Sequence, residues 1–141
     1  MRNRSILILA AIAACSAPAS AGQPETTPST DLKWQQMFPG VAFAPAYGDW
    51  TKGAHGKFVR IEKGAHVDLH LHSNDYHAVF LAGRMTNILD GNQRIEVGPG
   101  DYFYMAARRP HSHECQSDGG CLFYTYGNSL WDVHLSGDGS N

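Results

Sequence analysis

Residues 66–77 read His-Val-Asp-Leu-His-Leu-His-Ser-Asn-Asp-Tyr-His and hold four of the chain's eight histidines: His66, His70, His72 and His77. Two more, His111 and His113, form a second close pair further along. Imidazole nitrogen is the commonest protein ligand for Zn, Fe, Cu, Ni and Mn. Two imidazoles two residues apart on a β-strand leave the same face, so both can reach one ion. A single histidine is usually an ordinary polar residue. A His-x-His pair on a strand with a distant histidine on another is a candidate for metal ligation.

The elements that must position these groups read as strands. Residues 66–72 alternate, with His66, Asp68, His70 and His72 on one parity and Val67, Leu69 and Leu71 on the other. Further candidates are Lys57–Glu62, Tyr76–Leu81, Met85–Leu89, Gln93–Val97, Tyr102–Met105, His111–Gln116, Leu122–Tyr126 and Trp131–Leu135. Gly, Pro, Asn and Asp separate them, and Asp90-Gly91 is a strong hairpin signal. Asp31–Met37 offers one short helical turn. Many short strands with little helical periodicity predict an all-β fold, an antiparallel sandwich or barrel.

A chain of 141 residues with a formal net charge of −2 suits one globular domain. Arg84, Arg94, Arg108 and Arg109 are too scattered to make a phosphate-binding stripe, which argues against nucleic acid as a partner. Residues 1–21 carry Arg2 and Arg4, a short apolar run from Ile6 to Ala14, and Ala19-Ser20-Ala21 as a small-residue cleavage site. That is the pattern of a secretory signal peptide, and it implies a periplasmic or secreted protein. Ile12-Ala13-Ala14-Cys15 also fits a lipobox, in which a lipid on Cys15 would make an envelope lipoprotein and the only membrane contact. Residues 22–38 read as a flexible lead-in and 39–141 as the domain. Export permits a disulfide, and Cys115 with Cys121 would staple a hairpin turning at Gly119-Gly120.

Placed on these strands, the histidines resemble the cupin family. Its first motif, G-x5-H-x-H-x(3,4)-E-x6-G, is matched by Gly64, His70, His72 and Gly83. Its second, G-x5-P-x-G-x2-H, is matched by Gly100 and His111 around "GDYFYM" and "RPHSH", with Ala106-Ala107-Arg108 where Pro-x-Gly is usual. The resemblance spans about residues 56–127. It implies a cupin double-stranded β-helix, a jelly-roll barrel, with one divalent transition-metal ion (Fe, Zn, Mn, Ni or Cu) on His70, His72 and His111. The motif's glutamate is missing. Counting from His72 places His77 in its slot, and counting back from Gly83 places Tyr76 there. With His77 the site would be four imidazoles; with Tyr76 it would be three with open positions. His113 is expected nearby as a supporting or rim residue, and His66 toward the barrel mouth.

Two functions fit. One is a metal-dependent dioxygenase for small enolisable or aromatic hydroxy-ketone-like compounds, with Tyr76 or His113 as the acid–base group. The other is a non-catalytic periplasmic cupin that captures a metal or a small ligand. A small molecule is the expected partner in both, and a homodimer is what the family suggests.

Overall fold

The computed structural model describes residues 25–135. The expected signal segment, with Cys15 and Ala19-Ser20-Ala21, lies outside the described residues. Eleven strands run in chain order: β1 (Gln35–Phe38), β2 (Val41–Gly48), β3 (His55–Ile61), β4 (His66–Leu71), β5 (Tyr76–Ala82), β6 (Met85–Leu89), β7 (Gln93–Val97), β8 (Tyr102–Met105), β9 (His111–Cys115), β10 (Cys121–Gly127) and β11 (His134–Leu135). They form two antiparallel sheets. One has the order β1-β2-β3-β10-β5-β8 and the other β11-β4-β9-β6-β7. This is the double-sheet jelly roll, with the core between the inner faces.

The helical turn expected over Asp31–Met37 is a 3₁₀ turn at Ser29–Asp31, and Gln35–Phe38 pairs with β2 instead. Gln35–Phe38 is too short to show a period, and sheet pairing decides its conformation. The first strand therefore begins inside the segment expected to be a lead-in.

Inner-face residues alternate with outer ones along the strands, as the pleat requires. In β5, Tyr76, Ala78 and Phe80 are buried while Val79 and Leu81 are exposed. In β10, Cys121, Phe123 and Thr125 are buried, and Phe123 stacks on Phe80 at 5.7 Å between ring centroids. Each such ring removed from water contributes roughly 1.5–3 kcal/mol. The Asp90-Gly91 turn closes the β6–β7 hairpin with both residues at positive φ, 51° and 80°.

Cys115 and Cys121 are joined, but not across a hairpin as expected. Cys115 ends β9 in one sheet and Cys121 starts β10 in the other. The six-residue separation spans a sheet-to-sheet crossing, so the bridge ties the two layers together. Gly83 packs against this crossing at φ 85°, and a side chain there would meet the Gly120 carbonyl at 2.3 Å. No other residue type fits that position without displacing backbone.

Candidate metal centre and its cavity

Strand β4 brings the first histidines to the site, and it does so through a break in its alternation. Val67 pairs with His113 and His70 with His111, so three steps on β4 match two on β9. The extra residue is a β-bulge, which shifts the phase of the side chains that follow it. Before the bulge His66 is exposed and Val67 packs against the core; after it Leu69 is exposed and His70 and His72 are buried. The single parity expected for His66, Asp68, His70 and His72 is therefore corrected. Only His70 and His72 point inward.

Strand β9 supplies the second pair. His111 lies directly across from His70, and His113 from Asn87 on β6. His70, His111 and His113 each offer a ring nitrogen within 4.8 Å of the others and could hold a metal ion. His72 stands beside them, its ring centroid 4.9 Å from that of His70 and 5.1 Å from that of His111. His113, expected as a rim or supporting residue, is thus inside the cluster. Its parity with His111 carries it there without a bulge.

Each ring is oriented by a hydrogen bond from Nδ1. His70 donates to the Asp68 carbonyl at 2.7 Å, His111 to the Arg109 carbonyl at 2.8 Å, and His113 to Asn87 Oδ1 at 2.7 Å. His72 donates to the Asp132 carbonyl. An oxygen acceptor fixes the proton on Nδ1 and leaves the Nε2 lone pair for an ion, the usual support for a ligating histidine. His111 Nε2 is buried with no hydrogen-bond partner among the described residues. A buried nitrogen left so is costly unless something occupies its lone pair. Burial lowers all four pKa values: His72 to about 3, His111 to about 4, His70 downward and His113 well below the usual range. The rings are neutral at physiological pH, the form a metal needs. The donor set therefore fits a transition-metal ion.

The two contenders for the glutamate slot part company. Tyr76 is buried, faces the cluster, and has its ring centroid 5.3 Å from that of His72. His77, one residue on, faces outward. There it stacks on Tyr126 at 4.7 Å and shares a 2.6 Å hydrogen bond with the Tyr102 hydroxyl. The expectation of His77 as a ligand is corrected by this one-residue alternation of β5.

The cluster opens onto a cavity of about 50 Å³, lined by His70, His72, His113 and Tyr76 together with Phe43, Trp131 and Lys57. A second pocket of about 300 Å³ has His66, Asp68 and His70 on its wall and shares Val67 and His70 with the first. Trp131 and Asp132 belong to the segment before β11, which packs beside the site. Its Trp131 ring packs 5.0 Å from Phe43 and 5.2 Å from His72. The sequence reading put residues 131–135 on a strand, of which only His134–Leu135 is one, and gave Trp131, Asp132, Asn87 and Lys57 no part in the site. Two of them left a signal. Lys57 shares the parity of Val59 and Ile61, and Asn87 that of Met85 and Leu89, so each is a polar residue on an apolar face.

A model of the cupin domain matches residues 57–127. No curated protein sequence matches. Among solved structures, the polyketide cyclase RemF from Streptomyces resistomycificus is similar at 17% identity and a TM-score of 0.70, over 81% of this chain and 86% of that one. KdgF from Halomonas sp. is similar at 19% identity and 0.60, over 72% and 90%. Salicylate 1,2-dioxygenase from Pseudoaminobacter salicylatoxidans is similar at 15% and 0.59, over 72% of this chain but 30% of that one. At these identities the likeness shows the fold alone.

Proposed function

The chain belongs to the cupin domain family, and from that premise we propose that it is an exported, metal-dependent oxygenase acting on small enolisable or aromatic hydroxy-ketone-like compounds. The observation that carries the reading is the buried cluster of imidazoles with each Nδ1 tied to an oxygen and each Nε2 left for an ion. His70, His111 and His113 would hold the ion, with His72 beside them. A divalent transition metal there would supply Lewis acidity and, if it were iron, electrons for dioxygen chemistry.

The chain's own residues shape the rest. No carboxylate stands in the donor set, so the positive charge of the ion is not offset by its ligands, and an enolate oxygen is drawn to it. Burial pushes the Tyr76 phenol well above its ordinary pKa. It keeps its proton and can donate a hydrogen bond to a substrate oxygen, an acid's role and not a base's. With His113 in the cluster, Tyr76 is the one of the two expected acid–base groups left free to act on a substrate. Phe43 and Trp131 give the cavity an apolar wall that suits a small organic compound and restricts water. The Cys115–Cys121 bridge supports an oxidising compartment.

His72 favours a second reading. A fourth imidazole this close would let the site saturate with nitrogen, and a saturated ion suits capture of a metal or ligand without catalysis. Metal analysis and spectroscopy of protein taken from its native envelope test the choice. Stoichiometric iron whose spectrum changes on adding a diketone or a catechol supports the oxygenase. Zinc or copper in a closed four-nitrogen environment removes it.

A further inference from the structure

Lys57 is 1% exposed. Its Nζ lies 3.2 Å from His55 Nε2, 4.7 Å from the centroid of the Trp131 ring and 5.2 Å from that of Phe43. His55 Nδ1 donates to the Gly53 and Ser129 carbonyls at 2.9 and 3.1 Å, so its Nε2 is the acceptor for one Lys57 N–H. Among the described residues no carboxylate is within ion-pair distance of Nζ. A buried ammonium is normally paired with an acid, because leaving water is otherwise costly. Here it has two aromatic faces and one imidazole, which stabilise a cation without neutralising it.

The charge of the whole cavity sharpens the point. Among the described residues its lining contains Lys57 and three histidines and no Asp or Glu. The position where a carboxylate would be expected in this fold is taken by the neutral Tyr76 or, outside the cavity, by His77. Lys57 and His72 both line the cavity, and the Trp131 ring there lies 4.7 Å from Nζ and 5.2 Å from the His72 ring. A ligand a few atoms long can therefore touch both. Burial draws the Lys57 amine down to about 7, consistent with a cation that lacks a counter-charge until one arrives.

We propose that Lys57 anchors the carboxylate of a small organic acid, which lies in the cavity between its Nζ and the imidazole cluster. The inference deepens the small-ligand reading above and rests on it for where the ligand sits. It does not require a metal. The cavity of about 50 Å³ admits a group on the order of acetate's size, enough for the carboxylate end of the ligand.

Acetate and acetamide, matched in shape and different in charge, are the probes. Metal-free protein carrying ¹³C-labelled lysine is titrated with each and followed by NMR. The Lys57 signal is assigned by changing Lys33, Lys52 and Lys63 to Arg, which leaves Lys57 as the remaining lysine. Acetate is expected to bind at least 10-fold more tightly than acetamide and to shift the Lys57 signal. Lys57→Met is expected to bring the two affinities within about a factor of two while keeping the parent's metal content. If Lys57→Met fails to fold, the Lys57 signal in the native sequence decides alone. Equal affinities, a shift confined to another lysine, or an acetate preference that survives in a folded Lys57→Met protein overturns the proposal. Loss of metal binding with the acetate preference intact would instead remove the metal reading and leave this one standing.

Discussion

Residues 70–77 send their histidines to two different places, and the contrast between them shows what makes a candidate ligand. Inside, His70 and His72 join His111 and His113, each ring fixed by an Nδ1–H to an oxygen acceptor and stripped of water. Outside, His77 is surrounded by aromatic rings, stacked on Tyr126 and beside Tyr102 and Tyr104 on the exposed face of β5, β8 and β10. Both groups are imidazoles among rings. The difference is the acceptor behind the ring and the neighbour in front of it. The inner rings have a fixed tautomer and a converging set of lone pairs; His77 uses its Nδ1 on a tyrosine hydroxyl. Proximity in sequence says nothing about which role a histidine takes.

The largest effect that can break this comparison is loss of the ion. His70→Ala and His111→Ala are expected to abolish stoichiometric metal, read by elemental analysis after dialysis, whereas His77→Ala retains it. Metal retained in both inner variants, or lost from His77→Ala, would reverse the assignment of the two regions. Next comes the acceptor. Asn87→Ala leaves His113 without its hydrogen-bond partner and is expected to weaken metal affinity about 10–100-fold with the fold intact, measured by competition with a chelator of known affinity.

Acid sharpens the contrast in the metal-free protein. The folded pKa values of His72 and His111, about 3 and about 4, lie below the ordinary value of 6.5. Unfolding then takes up protons, so stability is full above about pH 6.5 and falls as pH drops toward 4. Denaturation midpoints between pH 7 and pH 4 should show this slope. His111→Asn should flatten it. Smaller still, His77→Ala is expected to change stability by less than about 1 kcal/mol, because its stacking is exposed.

The least effect concerns the loop that delivers β9. Arg108 stands where the cupin motif has glycine and holds φ 60°, a left-handed conformation, while its N–H donates to the His72 carbonyl at 2.8 Å. The loop keeps the shape that glycine would favour and accepts the strain of a side chain. Arg108→Gly is expected to raise stability by up to about 1 kcal/mol, seen as a higher melting temperature with metal binding unchanged.

The strands and their turns were legible because alternation and Asp-Gly chemistry are local. Met85–Leu89, Gln93–Val97 and Tyr102–Met105 stand where the pattern put them. What resisted reading depended on partners distant in sequence. The bulge in β4 is visible only against β9. The Cys115–Cys121 pair looks like a hairpin staple until its two strands are assigned to different sheets. The choice between Tyr76 and His77 turns on one residue of phase, and counts from the flanking motif positions disagree by that amount. His113 could have been placed from its parity with His111, and Lys57 from its place on an apolar face. The acceptor behind His72 could not, because the 131–133 segment reaches it from the far end of the chain.

The bulge between Val67 and His70 has one more consequence. The carbonyl that orients His70 belongs to Asp68, within the same irregular stretch. Aim and support of one ligand are therefore set by how many residues lie there and only weakly by which ones. Along most of the barrel, inheritance can vary by exchange of letters. At positions 68 and 69 it is the count that is read, and losing or gaining a single codon there would change which side chains of β4 the candidate metal site receives.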